Sequence, residues 1–591
     1  MPTFAEKIFG APAGTIVFRQ PDLVLTHDNT ASIEKTFQRM GGTHVADPDQ
    51  LMVVLDHNAP PTTSSVATNY AAIRDFVERQ GVRKFYDAGE GICHQLMSHH
   101  ARPGMLIVGS DSHTCTAGAF NALAAGIDRT EAAGLWMKGE TWFRVPETLK
   151  INLQGALRDG VYGKDLSLWI IGILGSAGAN YMSIEFHGDG VRHLAISERM
   201  TLANLASEMG AKNAVFPADQ VLEEYLGESV QGIWADEDAA YAREITVDLG
   251  EVYPLVAAPH QVDNIMAVAE VAGEPVDQGV IGTCTNGRIE DLREAAAILK
   301  GKKVEKGFQL LVIPASKAIY LQAIEEGLIT TFLEAGANVL SSSCGPCLGT
   351  GQGIPADGSR VISTANRNFP GRMGNKEAEI YLGSPAVVAY SALQGKITDS
   401  RTAGGAESFP FKREVSGTIS IPEDASSRRH GIVWDYSDAD HLNTDQMFAG
   451  HLTYKILSSD PEGIREHLFA DFDPSFAGRL EAGDVILGGE NFGCGSSREH
   501  PAVGLAHAGV KAVIVKSVNR IFFRASINQG LPLIVLPEAV EAYEVGDHVG
   551  INLEKGEVRV GEQTFSFQPL PGKLLEILEK RGLVNYLAVD L

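Results

Sequence analysis

The first 400 residues repeat one pattern, in which a short apolar run ends in a polar cluster and a helical stretch often follows. The run at 52–55 ends in the polar cluster 56–58. The run at 105–108 ends in the cluster 110–113, and a helical pattern follows over 117–126. Short apolar runs that alternate with helical stretches are typical of buried parallel strands. The sequence therefore predicts an α/β fold that binds ligands at the carboxyl ends of its strands.

The length of 591 residues exceeds what one hydrophobic core supports, so several domains are expected. Residues 401–430 are polar and rich in turn-forming residues, as is typical of a linker. The chain beyond them has its own apolar strand candidates, such as 484–487 and 512–515. We therefore predict a first region that ends near residue 400, a linker at 401–430 and a second region at 431–591.

Three cysteines stand in turns rich in Gly, Ser and Thr that follow apolar runs, namely Cys284 and the pair Cys344 and Cys347. Such a set can bind zinc, form a redox disulfide or hold an iron–sulfur cluster. A structural zinc site usually has a fourth Cys or His nearby, and none stands at the expected spacing. A thioredoxin-type pair would begin a helix in a short βαβ unit, whereas a Gly-rich loop follows this pair. We therefore favour a cluster with one iron free to bind substrate.

The formal net charge of −25 argues against binding to nucleic acid, which requires basic surfaces. An anionic substrate would need local arginines, because the overall field repels it. The N-terminal sequence lacks the apolar core of a signal peptide, and no uncharged apolar run is long enough to span a membrane. Six cysteines are too few for a secreted disulfide scaffold. We therefore expect no membrane partner and a reducing compartment, either a cytoplasm, which we favour, or an organelle matrix.

The second region contains the motif Asn-Phe-Gly-Cys-Gly-Ser-Ser-Arg-Glu-His at 491–500, followed by a helical run of small residues. Glycines before a helix allow close backbone approach, and the amides at a helix start attract anions. Ser496 and Ser497 could donate hydrogen bonds to a carboxylate, and Arg498 could bind one through two hydrogen bonds. The alternative is a serine N-cap in an ordinary turn.

Together these motifs resemble the aconitase superfamily of [4Fe-4S] hydro-lyases, and the resemblance covers essentially the whole chain in the expected order. It is carried by the cysteines at 284, 344 and 347, the segments 110–113 and 366–372, and the Gly-Ser-Ser-Arg-Glu stretch. The resemblance implies an aconitase-like α/β fold, with three α/β subdomains around a [4Fe-4S] cluster and a linked C-terminal swivelling α/β domain. It also implies that Cys284, Cys344 and Cys347 hold the cluster, with one iron left open.

Within the superfamily the chain is most similar to the 3-isopropylmalate dehydratases. Cys494 stands where aconitases proper usually have Glu, and residues 443–446 resemble the start of the small subunit. Residues 1 to about 400 look like the large subunit of those enzymes, and about 430–591 look like the small subunit, joined here in one chain. The expected active site lies between the two regions.

The resemblance also implies roles for individual residues. The residues that match the family's catalytic groups are Asp56, His57, His94, Asp111, His113, Glu185 and Ser496. Ser496 matches the family's base, and Glu185 matches the acid that supports the histidines. The residues that match substrate contacts are His27, Ser112, Asn366, Arg367, Arg372, Ala449, Thr453, Tyr454, Ser497 and Arg498. The alternatives are a hydrogen-bonded loop histidine for any single His and surface ion pairs for Arg367 and Arg372.

Substrate choice is expected at the segment 447–454, which aligns with the family's selecting loop. Aconitases have a sequence similar to Phe-Arg-Gly-His in this loop, and its Arg binds the third carboxylate of citrate. This chain has Ala449 at the position of that Arg. Burying a carboxylate without a cation costs free energy, so a substrate with an alkyl substituent beside Ala449, Leu452 and Tyr454 should bind better. The prediction is an alkylmalate, with isopropylmalate first. If Lys455 turns inward, a tricarboxylate becomes possible again.

Several alternatives stay open. The rival activities are dehydration of citramalate or dimethylmalate, followed by homoaconitase or aconitase action on a tricarboxylate. A cluster-free RNA-binding role is disfavoured by the acidic composition and by the absence of a basic, aromatic-rich patch. A structural zinc protein would leave the Asp, His, Ser and Arg motifs without a role. The sequence does not set the oligomeric state, and a monomer is compatible with it.

Overall fold

A computed structural model describes residues 1–401, 407–411, 428–449, 452–453, 456, 458–495 and 498–588. Most of the predicted linker at 401–430 therefore lies outside the described residues, as do Ser496, Ser497, Tyr454 and Lys455. None of the described helices is long and apolar enough to cross a membrane.

The first sheet is built from the N-terminal part of the chain and has five parallel strands. In spatial order these are Lys84–Tyr86, Leu51–Val54, Leu23–Thr26, Leu106–Gly109 and Leu123–Gly126. The helices of this part include Thr30–Arg39, Ser64–Gln80, Cys93–Met97 and Arg129–Lys138. The helix expected over 117–126 is not formed. A 3₁₀-helix covers Ser112–Phe120 and a buried strand follows at Leu123–Gly126.

Two further sheets complete the first region. The second is parallel and has the spatial order Asn213–Val215, Ser183–His187, Thr148–Gln154 and Arg243–Asp248. The third has the order Ile265–Ala267, Leu255–Ala257, Glu379–Leu382, Arg360–Ser363, Gln278–Gly282, Gln309–Ile313 and Asn338–Val339, and it is parallel except at its first two strands. The longer helices around these sheets are Gly163–Leu174, Ile196–Leu205, Ile289–Leu299, Lys317–Glu325, Leu328–Ala335 and Pro385–Gln394.

The C-terminal part forms a fourth sheet in the order Arg429–His430, Val433–Tyr436, Val485–Gly488, Ala512–Val515 and Leu533–Val535. Only its first pair of strands is antiparallel. The helices His500–His507, Arg520–Asn528 and Gly572–Glu579 belong to this part, which also has an antiparallel sheet of Val549–Asn552, Glu557–Val560 and Gln563–Ser566. The α/β fold class predicted from the sequence is therefore confirmed.

The helix Arg520–Asn528 packs against the helix Arg129–Lys138 through buried polar groups. Arg524 Nε donates to Glu131 Oε2 at 3.0 Å, and its Nη2 also contacts that carboxylate and donates to Trp142 O at 2.6 Å. Asn528 Nδ2 donates to Asp128 Oδ2 at 2.6 Å. Buried polar groups that pair across this contact help to fix how the C-terminal part sits on the first sheet.

Replacing Arg524 with Met should lower the free energy of unfolding by about 3–5 kcal/mol, because Glu131 would be left buried without its cation. The two side chains are 3% and 0% exposed. The matched control is Arg83→Met, whose ion pair with Asp49 has side chains 77% and 54% exposed. The control should change the free energy by at most about 1 kcal/mol in urea unfolding. Equal effects of the two variants would contradict this account of the contact.

Candidate active site

One cavity of about 550 Å³ is lined by most of the site residues that were predicted from the sequence. The predicted residues on its wall are His27, His57, His94, Asp111, Ser112, His113, Cys284, Cys344, Asn366, Arg367, Arg372, Thr453 and Arg498. They come from segments that follow strands of the first and third sheets and from the C-terminal part of the chain. A polar cavity where several strands end is the usual location of a ligand site in α/β proteins.

Asp56 and His57 directly follow the buried strand Leu51–Val54 and the single residue after it. His57 Nδ1 lies 2.7 Å from Asp56 Oδ1, and its Nε2 lies 3.3 Å from Asp111 Oδ2. Burial lowers the pKa of His57, but Asp56 and Asp111 outweigh it and hold that pKa well above its usual range. The His27 ring stacks on His57 at 3.9 Å, and burial together with the charge of His57 lowers the pKa of His27 to about 4. His57 is therefore the protonated member of this pair.

The Asp56–Asn58 turn is held by a side chain that the sequence analysis did not name. Asp28 Oδ1 accepts hydrogen bonds from the backbone N–H groups of Asp56 at 3.0 Å and His57 at 3.1 Å. Asp28 Oδ2 accepts from Asn58 N at 2.8 Å and from the hydroxyl of Tyr70 at 2.7 Å. The hydrogen bonds that the Asp28 carboxylate accepts thus fix the backbone of the turn that carries Asp56 and His57.

A second acid–base cluster forms around Asp111. His94 Nε2 lies 2.8 Å from Asp111 Oδ1, and the backbone N–H of His113 donates to the same oxygen at 2.7 Å. Burial raises the pKa of Asp111, but His94, His113 and His57 outweigh it and hold that pKa well below its usual range. Asp111 is therefore an ionised carboxylate that orients three histidines.

The acid that contacts His113 is Glu208, not Glu185. His113 Nε2 lies 2.8 Å from Glu208 Oε1, and Arg367 Nε donates to Glu208 Oε2 at 3.0 Å. Glu185 lies in the strand Ser183–His187 and contacts Phe4 N at 2.8 Å and the side chains of His187 and Tyr241. The sequence prediction for this acid is corrected accordingly, because the strand directs Glu185 to groups outside the cavity wall.

Two of the three cysteines, Cys284 and Cys347, contact one amide side chain. Cys284 lies in the single-turn helix Thr283–Asn286, directly after the strand Gln278–Gly282. Asn366 Nδ2 lies 3.5 Å from Cys284 Sγ, and Asn366 Oδ1 lies 3.7 Å from Cys347 Sγ. Gly282 permits this turn, since it has φ +132° and a Cβ there would lie 2.1 Å from Ile313 O. The thiols of Cys284 and Cys347, which lie in segments far apart in the chain, are therefore both close to the Asn366 side chain.

This donor set fits an iron–sulfur cluster better than a zinc ion. The thiols of Cys284, Cys344 and Cys347 are all buried and reduced, and the Arg372 Nη2 atom lies 3.5 Å from Cys347 Sγ. The Cys344 thiol and the Arg372 guanidinium hold the pKa of Cys347 well below its usual range. Within the described residues, the groups of His, Cys, Asp and Glu whose ligand atoms all lie within 4.8 Å contain none of these cysteines. A single zinc ion needs ligands that close together, whereas a polynuclear cluster spans a wider gap.

Arginines line the cavity beside the histidines. Arg367 Nη2 donates to Ser112 Oγ at 3.1 Å, and Arg367 and Arg372 are only 5% and 7% exposed. Because both side chains are buried, the alternative of surface ion pairs does not apply to these two arginines. Arg129 and Lys376 also lie on the wall and were missed by the sequence analysis. Lys376 pairs with Asp471 at 3.1 Å, whereas Arg129 forms no ion pair or hydrogen bond with its side chain among the described residues.

The C-terminal part contributes Arg498 and Thr453. Arg498 Nη1 donates to Phe448 O at 3.2 Å and pairs with Asp445 at 2.5 Å. Thr453 is buried on the wall, and its hydroxyl has no partner among the described residues. Ala449 is buried and is not among the described residues that line the cavity, so its contact with substrate stays a prediction. Leu452 packs against the core of the fourth sheet instead.

Comparisons with known proteins agree with this fold. Residues 5–275 and 269–395 match the aconitase family (aconitate hydratase), and residues 479–539 match the aconitase C-terminal domain. The chain is 45% identical over 412 residues to 3-isopropylmalate dehydratase large subunit 1 of Methanopyrus kandleri, covering 68% of this chain and 99% of that protein. It is 46% identical over 387 residues to a probable methanogen homoaconitase large subunit of Methanosarcina mazei, covering 64% and 98%.

Among solved structures, a 3-isopropylmalate dehydratase of Methanocaldococcus jannaschii is 39% identical with a TM-score of 0.23, covering 25% of this chain and 87% of that one. The chain belongs to the aconitase family and is a hydro-lyase. Its large-subunit relatives carry the name 3-isopropylmalate dehydratase, so the resemblance predicted from the motifs is confirmed. Membership of the family also implies an iron–sulfur cluster in general.

Proposed function

We propose that the protein is a [4Fe-4S]-dependent hydro-lyase that removes water from an alkylmalate and adds it back, with 2- or 3-isopropylmalate as the substrate. The observation that carries this proposal is the contact of Cys284 and Cys347 with Asn366, which lines one cavity together with Cys284, Cys344 and the histidine clusters. Cys284, Cys344 and Cys347 would hold the cluster. When bound, it supplies a Lewis-acidic iron for the hydroxyl and a carboxylate of the substrate.

The chain's own residues manage the protons of the reaction. His57, which Asp56 and Asp111 keep protonated, is proposed to donate a proton to the departing hydroxyl. His113, held between Asp111 and Glu208, orients the water that forms. Ser496 is the proposed base that removes the proton from carbon, and Arg498 supplies the positive charge that a serine alkoxide needs. Ser496 lies outside the described residues, so its role rests on the family resemblance.

Substrate carboxylates are proposed to bind Arg367 and Arg372, with Ser112 as a polar contact. Both guanidinium groups are buried, which strengthens their interaction with an anion. The alkyl group would contact the apolar part of the cavity wall, which includes Ile92, Leu348 and Phe369. The sequence supports the same choice, since Ala449 replaces the Arg that holds a third carboxylate in aconitases.

The two regions are proposed to correspond to the large and small subunits of 3-isopropylmalate dehydratase joined in one chain, with 401–430 as the tether. Asp445, Thr453 and Arg498 share one cavity with residues of the first region, which supports this arrangement. Joining two subunits raises their effective concentration, because their association becomes intramolecular.

The test is anaerobic reconstitution with iron and sulfide, followed by ultraviolet absorbance of the unsaturated diacid product. The substrates are 3-isopropylmalate, citramalate, dimethylmalate, homocitrate and citrate, and metal-free protein is the control. Turnover of an alkylmalate without turnover of citrate is expected. Turnover of citrate alone would overturn the substrate proposal and leave the hydro-lyase class intact.

A second candidate substrate is a tricarboxylate, which one observation favours. Arg129 lies on the cavity wall without an ionic partner among the described residues, so it is free to bind a third carboxylate. If homocitrate or citrate is turned over, Arg129→Ala should raise its KM by at least about 10-fold, as expected for a lost charged hydrogen bond. The KM of alkylmalates should stay within about twofold. Lys376→Met is the control, because that cation is already paired with Asp471. An unchanged KM for the tricarboxylate would exclude Arg129 as its partner.

A further inference from the structure

Lys164 is a buried lysine that the proposed reaction does not use. It lies in the first turn of the helix Gly163–Leu174 and is 1% exposed. Its Nζ donates to Thr364 O at 3.0 Å and to Ala365 O at 2.7 Å. In the part of the chain that the structure describes, it forms no ion pair with a carboxylate. A buried ammonium with only carbonyl partners is unfavourable unless negative charge lies nearby.

The adjacent carboxyl supplies only part of that charge. Asp165 Oδ2 accepts from Tyr162 N at 3.0 Å, and its Oδ1 accepts from Leu255 N at 3.0 Å. Burial raises the pKa of Asp165 to about 7, so its carboxyl is only partly ionised near neutral pH. The rest of the compensating charge must come from other groups.

The carbonyls that Lys164 binds belong to the segment that leads into the cysteine site. Thr364 and Ala365 immediately precede Asn366, which contacts the thiols of Cys284 and Cys347. The same segment is tied to the Cys284 turn, since Gly282 N donates to Thr364 Oγ1 at 2.9 Å and Thr285 Oγ1 donates to Thr364 O at 2.5 Å. Burial lowers the pKa of Lys164 to about 8, and Cys284 and Cys347, followed by Asp165 and Glu208, act in the opposite direction.

We propose that Lys164 is the counter-charge of the three-cysteine site and fixes the strand end that carries Asn366. It is a positioning residue and does not touch substrate. This inference rests on the proposed function, because the negative charge is that of the thiolates that hold the cluster. Without the cluster the buried ammonium is less fully compensated, and it stabilises the fold less. With the cluster it stabilises the loaded form, and it favours the reduced state because that state is more negative.

The test compares Lys164→Met, which removes the charge, with Lys164→Gln, which also removes it but keeps an N–H donor for the carbonyls. The control is Lys212→Met, since Lys212 is equally buried but contacts Tyr181 and not the cysteine site. The reduction potential of the reconstituted cluster is measured by EPR-monitored titration. Thermal unfolding is measured with and without the cluster.

Both Lys164 variants should shift the potential to more negative values, and the control should not. Loading the cluster should raise the Tm of Lys164→Gln by less than it raises the Tm of the wild type. A wild-type potential and a wild-type gain in Tm for both Lys164 variants would overturn the counter-charge role alone. A wild-type protein that takes up no iron and sulfide would overturn the proposed cofactor, and the role of Lys164 with it. If Lys164→Met does not fold, Lys164→Gln decides the question.

Discussion

Replacing Cys284 with Ser is expected to prevent formation of a stable cluster and to lower turnover by well over a hundredfold. Loss of a residue that only supports a metal ligand already costs about 10- to 100-fold. Loss of a ligand itself should therefore cost more, and Cys284 is one of the two thiols that contact Asn366. Iron and acid-labile sulfide per chain, measured after anaerobic reconstitution, check the first part, and the substrate assay checks the second.

The control for this experiment is Cys115→Ser. Cys115 is also fully buried, but its thiol contacts the carbonyls of Ser112 and Asn204 and does not face the other cysteines. The control should keep the iron and sulfide content of the wild type. A Cys284→Ser protein with a full complement of iron and sulfide would contradict the proposed ligand set.

Glu208→Gln is expected to reduce kcat by about 10²- to 10⁴-fold, the range in which a positioned acid–base group contributes. Although burial raises its pKa, Arg367 and His113 lower the pKa of Glu208 to about 2, so the group is an anion at neutral pH. Glutamine would remove the charge that holds His113 and Arg367 and would offer an amide in its place. Steady-state kinetics on the substrate found in the panel measure the loss.

Glu185→Gln is the matched control and should leave kcat within about twofold per folded protein. Its carboxylate bonds to Phe4 N, His187 and Tyr241, so the expected effect is on stability. A loss of kcat in Glu185→Gln as large as that in Glu208→Gln would restore the assignment made from the sequence.

The sequence predicted the place of the cysteine site because a parallel sheet brings strand ends together. The strands Gln278–Gly282 and Arg360–Ser363 are neighbours in the third sheet, so Cys284 and Asn366 follow adjacent strand ends. The alternation of apolar and polar segments in the sequence indicates that the carboxyl ends of the strands lie at the same edge of a sheet. It does not give the strand order, which depends on long-range packing between segments far apart in the chain.

The supporting acid was assigned wrongly for a local reason. Glu185 matched the expected motif in sequence, but it lies on a central strand whose side chains alternate between faces. Glu208 lies in the short helix Ala206–Met209, four residues after Asn204, whose Nδ2 lies 3.4 Å from Cys284 Sγ. The spacing of Asn204 and Glu208, four residues apart in the stretch 201–211, was the available signal, since a helix places such residues on one face.

Two other differences arise from packing that a local pattern does not contain. The small residues over 117–126 are typical of a helix by composition. Gly118, however, packs so closely on the second sheet that a Cβ there would lie 1.7 Å from Ala214 O. This tertiary contact, rather than local composition, determines the conformation of the segment. Arg129 begins a helix, and nothing in its sequence context indicates that this helix start borders the cavity. Its position depends on how the first sheet and the C-terminal part meet.

The most direct test of the central claim is Mössbauer spectroscopy of protein reconstituted with ⁵⁷Fe, with and without the substrate identified in the panel. A [4Fe-4S] cluster held by Cys284, Cys344 and Cys347 leaves one iron open, so substrate should change the signal of that iron and leave the other three unchanged. The same experiment on Cys284→Ser should show no such cluster. A spectrum that substrate does not change, or a protein that retains zinc and no iron, would contradict the account.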